Sequence, residues 1–407
     1  MKKFIYTIIL LLFLSFEASA DLRWVETASM HNPRMGHAAV AHEGRIYVFG
    51  GIRSARREML TSVEVFIPER QGWSEVEPLP APLYQAAAVS YGRNILIIGG
   101  LTSNGNFNNR IYLYNPDNDT FLVATRMPEP YLYGHGAVRV GRRILIVGGT
   151  TGPQQYEGRG RLFNPDSLTW IEAHSLDSPR ANFSLSERND TIWAVGGFNL
   201  GGPLNGMEAL RERGWVNVEP MPTARGGLGA AFLRDMLIAA GGRTREGGRS
   251  VTNLVEGYLP HDDEWIEREL PAMISPRMDF ALIELNDTLY AIGGRGQRVA
   301  AVMNSVEILY DDDTTDVVDY ADNPLIAIPV TIYPNPTNGP VTFHFPPGPA
   351  SIKLLDINGR SIAQIPIPSA CSTWIWNSSP HPAGAYIYEY IPLSGKDPQQ
   401  GRIVVVK

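Results

Sequence analysis

Arginine is the residue type whose spacing in this chain is regular enough to suggest a binding site. Six Gly-Gly pairs, each ending a short apolar stretch, recur along the sequence, and sixteen residues before each pair stands an arginine or a leucine. A guanidinium group carries its N–H donors in a fixed fork that matches the oxygens of a carboxylate. Four such groups around one opening would form an anion site. In chain order the six positions hold Arg34, Leu83, Leu132, Arg180, Arg225 and Arg277.

A glutamate accompanies each of these arginines at one position of a later stretch in the same repeat. Where leucine replaces the arginine, that position holds a tyrosine or an arginine. Residues that occur together suggest contact. We therefore favour a structural Arg–Glu bridge repeated four times, in which each arginine could still offer its remaining donors to a ligand. The six positions hold Glu64, Tyr112, Arg161, Glu208, Glu256 and Glu307.

The second and third repeats depart from this pattern, and local rules tend to break at functional sites. Tyr84 stands where other repeats have methionine or alanine, and the third repeat offers Tyr133 and His135. Arg161 replaces a glutamate, so it lacks the partner that its counterparts would have. We hypothesise a ligand site built from these four residues. The alternative is ordinary variation among surface residues.

Arginines are also concentrated in the segments that follow the Gly-Gly pairs. They predict a basic face on a chain whose formal net charge is −7, although charged loops are often only solvated. An acidic partner would fit such a face: a sialic or uronic acid, an acidic peptide or a surface polysaccharide. The acidic balance of the chain argues against nucleic acid as a partner. The residues concerned are Arg53, Arg56, Arg57, Arg110, Arg159, Arg243, Arg245, Arg249, Arg295 and Arg298.

The Gly-Gly pairs define an internal repeat. Their first glycines are residues 50, 99, 148, 196, 241 and 293, which gives steps of 49, 49, 48, 45 and 52 residues. Each pair ends an apolar strand such as RIYVFGG, residues 45–51, and the repeats show short strand patterns, with a Trp or Phe marking the last in most of them. Four antiparallel strands in a repeat of this length are typical of a propeller blade. Glycine has no Cβ, so neighbouring blades can approach at the pairs.

The Gly-Gly pair, the aromatic residue of the third strand and the spaced tryptophans resemble the kelch repeat. The resemblance covers residues 21–312 and implies an all-β fold, a six-bladed kelch β-propeller. The sixth repeat contains the strand VEILY, residues 306–310, but no tryptophan follows it. We expect the N-terminal stretch 22–25 to supply the missing strand and close the ring, which removes exposed sheet edges.

Residues 1–20 have the pattern of a secretory signal peptide. Two lysines precede an apolar run at residues 4–14, and the small residues 18–20 predict cleavage before Asp21. A membrane anchor is the alternative, although the apolar run is short for a membrane span. No other long apolar run occurs in the sequence, so we expect no transmembrane segment after removal of the signal.

Residues 313–326 are predicted to form an acidic linker after the propeller, because the repeat pattern stops in this region. A calcium-binding loop is the alternative, since Asp311, Asp313 and Asp316 offer hard oxygen ligands. Their spacing does not match a calcium loop that we can defend, so we favour the linker, and the sequence does not decide whether residues 311–319 hold a metal.

Residues 327–407 contain strand patterns separated by turn residues, enough for a small β-sandwich of the immunoglobulin type. Several short motifs in this region resemble the type IX secretion sorting domain. In that family the domain is an export address read at the outer membrane and often removed afterwards. The resemblance implies a secreted or cell-surface protein with the type IX secretion machinery as a partner; an ordinary accessory sandwich is the alternative. The motifs are residues 333–336, 356–360, 384–386 and Lys407.

Signatures of enzymes are mostly absent from the sequence. It has no zinc-ligand spacing, no nucleophile elbow and no phosphate-binding loop. The copper oxidases that resemble kelch proteins need a tyrosine cross-linked to a cysteine, and the single cysteine, Cys371, lies outside the repeats. We therefore expect no cofactor, no metal and no catalytic residue.

The sequence thus favours a secreted or surface protein that binds an acidic glycan or a protein partner through an arginine-rich propeller face. One alternative, implied by the resemblance, is a sialic-acid mutarotase or epimerase of the kelch type, in which His135 or Glu64 would serve as the acid–base group. The other is a surface scaffold without a small ligand, because a fold alone does not specify a function.

Overall fold

The computed structural model describes most of the repeat region and parts of the C-terminal region. The expected signal peptide and the acidic linker lie outside the described residues. In the repeat region the described ranges are 22–53, 58–103, 105–245, 250–266, 270–297 and 301–311. In the C-terminal region they are 331–333, 340–344, 350–356, 360–367, 373–377, 380–392 and 399–405.

Six four-stranded antiparallel sheets form the repeat region, and each sheet is one blade of a propeller. The first strands of the six blades neighbour one another in a closed ring, which confirms the expected six-bladed architecture. Blade 1 contains β2 Ala38–His42, β3 Arg45–Phe49, β4 Val63–Ile67 and β5 Gly72–Val76, and blade 2 contains β6 Ala87–Tyr91, β7 Asn94–Ile98, β8 Arg110–Asn115 and β9 Thr120–Arg126. Blade 3 contains β10 Gly136–Val140, β11 Arg143–Val147, β12 Gly160–Asn164 and β13 Thr169–Ala173, and blade 4 contains β14 Ser184–Arg188, β15 Thr191–Val195, β18 Met207–Arg211 and β19 Gly214–Val218, with the inserted hairpin β16 Phe198–Asn199 and β17 Gly202–Pro203. Blade 5 contains β20 Gly229–Leu233, β21 Met236–Ala240, β22 Val255–Leu259 and β23 Glu264–Trp265, and blade 6 contains β24 Ala281–Leu285, β25 Thr288–Ile292, β26 Val306–Asp311 and the N-terminal strand β1 Leu22–Thr27.

The N-terminal strand closes the propeller, as the sequence predicted. β1 pairs antiparallel with β26, from Leu22 opposite Asp311 to Thr27 opposite Val306. The first and last parts of the repeat region therefore share one blade, and the ring is held shut by a ladder of backbone hydrogen bonds. A single 3-10 turn, Pro68–Arg70, is the helical element among the described residues, and no helix there is long and apolar enough to cross a membrane.

Burial explains why the second strand of each blade is apolar along most of its length. In β7 all of Ile95, Leu96, Ile97 and Ile98 are fully buried. Both faces of such a strand pack against neighbouring blades, so it does not show the apolar–polar alternation of a sheet with one face in water. The core is thus divided into layers between blades rather than concentrated at one centre.

A ring of six backbone hydrogen bonds surrounds the propeller axis just before the first strand of each blade. We call its members the axial ring: Gly36, Gln85, Gly134, Asn182, Gly227 and Asp279. In each, φ lies between 50° and 64°. The backbone N–H of every member donates to the carbonyl oxygen of the preceding member, at 2.7 to 3.0 Å, and Gly36 donates to Asp279 to complete the circle.

The residue after each ring member inserts its side chain between two blades. We call these the wedge residues: His37, Ala86, His135, Phe183, Leu228 and Phe280. A Cβ on Gly99, the first glycine of the blade 2 pair, would lie 2.6 Å from Cε1 of His135, and a Cβ on Gly149, the second glycine of blade 3, would lie 2.7 Å from its Cβ. Both members of a Gly-Gly pair are therefore needed to make room for wedge residues, which confirms the steric reason expected for the repeat.

Two antiparallel sheets make up the described part of the C-terminal region. They share a core in which Phe343 contacts Tyr388 and Trp376 contacts Tyr386, each with ring centroids 5.5 Å apart. The immunoglobulin type of this sandwich stays a prediction. One sheet has the order β27 Thr331–Tyr333, β28 Pro340–His344 and β31 Thr373–Asn377; the other has the order β30 Ser361–Ile367, β29 Ala350–Asp356, β32 Gly384–Pro392 and β33 Gln399–Val405.

The close approach at the Gly-Gly pairs can be tested by comparing two glycines of blade 2 that have similar backbone conformations. Gly99 has φ 64° and Gly92 has φ 59°, but a Cβ on Gly92 would meet nothing within 4 Å, whereas one on Gly99 would lie 2.7 Å from the carbonyl oxygen of Leu132. Both alanine variants carry the left-handed penalty of about 1 to 2 kcal/mol. Gly99→Ala should cost about 1 to 3 kcal/mol more, because it also overpacks the seam. Chemical unfolding of the propeller measures the difference; equal losses in the two variants would contradict the packing role.

Candidate functional site

The four arginines that the sequence placed around the channel opening are buried inside the blades. Arg34, Arg180, Arg225 and Arg277 are at most 1% exposed. Each contacts the glutamate of its own repeat: Arg34 Nη2 lies 2.5 Å from Glu64 Oε1. The other three bridges are Arg180–Glu208 at 2.6 Å, Arg225–Glu256 at 2.6 Å and Arg277–Glu307.

We call these four buried Arg–Glu ion pairs the clasps. They confirm the structural pairing predicted from the sequence. Nη1 of Arg34 donates to the carbonyl oxygens of Gly50 and Ser62 at 2.8 and 3.1 Å, and Glu64 accepts the backbone N–H groups of His31 and Asn32. Burial lowers the pKa of Arg34, and the adjacent Glu64 opposes this effect. An arginine enclosed in this way does not face a ligand, which corrects the expectation that these four residues line the channel mouth.

Arg161 also connects its strand to a loop, but the direction of the hydrogen bonds is reversed. The side chain on the strand donates and the loop backbone accepts, whereas in the other blades a glutamate on the strand accepts from the loop backbone. Arg161 is 5% exposed, and its guanidinium donates to the carbonyl oxygens of Pro128, Glu129 and Pro130 at 3.0, 2.8 and 3.3 Å. Proline has no N–H, so this loop offers mainly acceptors where the loops of clasped blades offer donors to a glutamate. Arg161 therefore has partners, and the expectation that it is free for a ligand is wrong.

A pocket of about 300 Å³ opens on the face of the propeller that carries the Gly-Gly pairs. We call it the mouth pocket. It contains Tyr84 and Tyr133, two of the residues proposed from the sequence, but neither His135 nor Arg161. Its other polar lining residues are Gln85, Asn182 and Asp279 of the axial ring together with Arg243, Arg295, Thr150, Gln154 and Tyr156.

Arg243 and Arg295 reach the mouth pocket because each immediately follows a Gly-Gly pair. Isolated bridges to Gly226 and Met278 hold their backbones at the rim, next to the axial ring. The guanidinium of Arg243 lies over the ring of Phe198 at 4.6 Å, and Nη2 of Arg295 contacts Sδ of Met278 at 3.1 Å. The Nε of each is buried and has no hydrogen-bond partner in the described part of the chain.

Asp279 supplies the carboxyl group that lines the mouth pocket among the described residues. It belongs to the axial ring, so its backbone fixes its place near the axis. Burial raises the pKa of Asp279, while Arg295, a hydrogen bond from Asn182 and Arg243 act in the opposite direction. The pocket therefore combines two guanidinium groups with one carboxyl group that is more easily protonated than usual.

His135 and His37 are wedge residues and do not line the mouth pocket. Both lie beside a smaller cavity of about 110 Å³ at the axial ring. Burial lowers the pKa of His135 to about 4 and, together with the charge of Arg34, that of His37 to about 3. Neither ring nitrogen of His135 has a hydrogen-bond partner among the described residues. Both imidazoles are thus neutral at pH 7.

The other loop arginines do not converge on one point. Arg53 is paired with Glu58 at 2.7 Å, and Arg110, Arg159 and Arg245 are exposed. The basic face remains a prediction. Four of the arginines behind it lie outside the described residues: Arg56, Arg57, Arg249 and Arg298.

One His–Glu–Glu group among the described residues has ligand atoms within 4.8 Å of one another, namely His31, Glu64 and Glu75. Glu64 already accepts hydrogen bonds from Arg34 and from the backbone of residues 31 and 32. Its oxygens are therefore committed to the clasp.

Two family models match the chain. The KLHDC2/KLHL20/DRC7 Kelch-repeats domain matches residues 22–197 and 85–294. The secretion system C-terminal sorting domain matches residues 331–405.

Individual relatives match the repeat region. Kelch-like protein terF of Aspergillus terreus is 28% identical over 72% of this chain and 57% of its own length, and Kelch-like protein 35 of Mus musculus is 32% identical over 27% of this chain and 18% of its own. The chain thus spans less than two thirds of these relatives. Among solved structures, one titled "Structure of YjhT" superimposes with a TM-score of 0.61 at 17% identity, covering 70% of this chain and 97% of that one. That likeness concerns the fold.

The wedge histidines make the stability of the propeller depend on pH. The pKa of His135 is about 4 in the folded protein, against an ordinary value of 6.5, so the unfolded chain binds the proton first as the pH falls. Stability is complete above pH 6.5 and declines towards pH 4, by about 1.4 kcal/mol per pH unit at most. His135→Phe, which copies Phe183 at the equivalent position of the next blade, should remove about 2 kcal/mol of the loss between pH 6.5 and pH 5.

Unfolding in denaturant at a series of pH values measures this effect. His261→Phe is the control, because that histidine is exposed and its replacement should leave the pH profile unchanged. A His135→Phe protein that loses stability with pH as steeply as the parent would contradict the role assigned to the wedge.

Proposed function

The chain belongs to the kelch-repeat family and carries a secretion sorting domain, and from this premise we propose that it binds the acidic group of a glycan in the mouth pocket. The sorting domain indicates export by type IX secretion, to the cell surface or the medium. In this proposal residues 21–312 form the binding propeller, residues 313–326 a linker and residues 327–407 the export address that the type IX machinery reads.

The presence of two guanidinium groups, those of Arg243 and Arg295, in the lining of one pocket carries the proposal. The two oxygens of a carboxylate would supply one acceptor to each arginine and neutralise charge at the same time. Phe198 and Met278 already hold the two guanidinium groups in position, so little side-chain freedom would be lost on binding.

The remaining lining of the pocket favours a sugar as the bearer of the acid. Tyr84, Tyr133 and Tyr156 lie on the side contributed by blades 2 and 3, opposite the arginines of blades 5 and 6. Phenol, amide and hydroxyl groups can each donate and accept hydrogen bonds, as the hydroxyl groups of a sugar require. A volume of about 300 Å³ is at the lower end for ligand pockets, which suits one acidic residue of a glycan better than a protein surface.

A sugar mutarotase or epimerase is the second candidate, and Asp279 is the observation that favours it. Opening a sugar ring moves a proton from the anomeric hydroxyl to an acid–base group and places one on the ring oxygen as the C–O bond breaks. A carboxyl group with a raised pKa beside two guanidinium groups has the chemistry for both transfers. The two acid–base residues suggested by the sequence are less suitable, because Glu64 is held in a clasp and His135 in a wedge.

Replacing either mouth arginine should abolish tight binding without unfolding the protein. Charge-assisted hydrogen bonds contribute about 1.5 to 3 kcal/mol, so Arg295→Gln and Arg243→Gln should each weaken affinity for an acidic glycan roughly tenfold to a hundredfold. Arg245→Gln is the matched control, because Arg245 is exposed in the loop that follows Arg243. A glycan array followed by calorimetry on the purified protein measures the change.

The array result distinguishes a glycan bound in the mouth pocket from a glycan bound elsewhere and from a protein partner. Selective binding of acidic glycans that survives both glutamine variants would place the ligand elsewhere on the protein. A blank array would contradict the glycan proposal and leave a protein partner as the candidate.

Asp279 should make binding depend on pH. Its pKa is raised, so as the pH falls its negative charge is lost earlier than that of an ordinary aspartate, and repulsion of an anionic ligand is lost with it. Like charges about 4 Å apart repel by at least about 1 kcal/mol, so affinity should rise roughly fivefold on acidification, provided that the ligand stays ionised.

Asp279→Asn should bind more tightly at neutral pH and lack this rise. Titrations of the parent and the variant between pH 5 and pH 8 measure both effects. If the second candidate is correct, the same variant should also lose exchange between the anomers of the bound sugar, followed by NMR. A variant with an unchanged pH profile would show that Asp279 does not face the ligand.

A further inference from the structure

A second cavity lies at the opposite face of the propeller, on the seam between blades 4 and 5. Its volume is about 800 Å³, well within the range of ligand sites. It is lined by the hairpin turn between β14 and β15, which is at the other end of β15 from its Gly-Gly pair. We call it the lower groove. It shares no lining residue with the mouth pocket.

The floor of the lower groove is apolar and aromatic. Trp193 and Phe232 meet edge to face with ring centroids 5.0 Å apart, and Ile192 and Leu210 lie beside them. Phe232 is exceptional in the repeat. By strand register, the equivalent positions of the other blades hold Ala41, Ser90, Arg139, Glu187 and Glu284. A large ring at this seam is therefore a feature of blade 5 and not of the fold.

The rim of the lower groove carries planar polar side chains of both charges. Arg188 of blade 4 and Asp235 of blade 5 approach to 3.6 Å across the seam. Arg211 is the last residue of β18, Glu212 follows it in the turn, and Asp190 lies in the hairpin turn between β14 and β15; all three are exposed. Two guanidinium groups and three carboxylates thus surround the floor, offering donors and acceptors side by side.

We propose that the lower groove binds a neutral oligosaccharide. The three carboxylates would repel an anionic ligand, and the two guanidinium groups would repel a cationic one. The polar rim does not suit an apolar ligand. A sugar presents apolar C–H groups that suit the apolar part of the lining, and hydroxyl groups at its edges that both donate and accept hydrogen bonds. A cavity of about 800 Å³ gives room for more than one sugar residue, whereas the mouth pocket, at about 300 Å³, takes one.

This inference does not depend on the proposed function of the mouth pocket. The two sites differ in face, charge and ligand class. A protein with both would hold an acidic glycan on one face and a neutral one on the other.

Calorimetry or saturation-transfer NMR on the full exported chain tests the proposal, with unbranched neutral gluco-, manno-, xylo- and galacto-oligosaccharides as probes. At least one of them should bind. Arg211→Ala should weaken that binding tenfold or more, while Arg213→Ala, which changes an exposed residue two positions later that does not line the groove, should not. Arg295→Gln should also leave it unchanged, because that residue lines the other face. Hydrogen exchange should show protection of residues 188–193 and 210–212 when the bound probe is added.

Each other result overturns the proposal. If none of the probes binds, the groove is not a saccharide site of this class. If a probe binds with equal affinity to the parent and to Arg211→Ala, or if binding is lost in Arg295→Gln, its site lies elsewhere. Arg211 is exposed, so a loss of binding in its variant would not reflect unfolding, and the unchanged thermal melt of the variant checks this.

Discussion

The closed ring of six backbone hydrogen bonds around the axis is the constraint on which the rest of this structure depends. Each ring residue must adopt positive φ so that its N–H reaches the preceding blade. That geometry sends the next side chain between two blades, where the Gly-Gly pairs leave room for it. The same geometry brings the residue after each pair to the mouth of the channel, so one repeated device sets blade spacing and the position of the candidate site.

The buried clasps and the mouth pocket use the same residue type for different purposes. In a clasp, arginine is enclosed and its donors are directed to a glutamate and to backbone carbonyl oxygens. At the mouth, the guanidinium groups of Arg243 and Arg295 are held instead by an aromatic ring and a thioether, and both line a pocket. Burial of paired charges contributes little net stability by itself. Its value here lies in fixing the loop that leads into each axial-ring residue.

The sequence predicted the fold better than the site, for a physical reason. The period of the Gly-Gly pairs, the closing strand 22–25 and the Arg–Glu pairing all follow from local pattern, and the structure agrees with each. The site depends on which side chains the ring brings together from separate blades, and that required the structure. Arg161 departs from its prediction because carbonyl oxygens of residues 128–130 accept its hydrogen bonds. The place of Asp279 in the site depends on closure of the axial ring, which no local sequence pattern shows.

A crystal structure of the protein soaked with the acidic saccharide that it binds most tightly is the measurement that tests the central claim most directly. The account predicts that the carboxylate of the ligand lies in the mouth pocket, with one oxygen within hydrogen-bond distance of the guanidinium group of Arg243 and the other of that of Arg295, and the sugar ring against the tyrosines of blades 2 and 3. A carboxylate bound at exposed loop arginines, with the mouth pocket still holding only solvent, would contradict it.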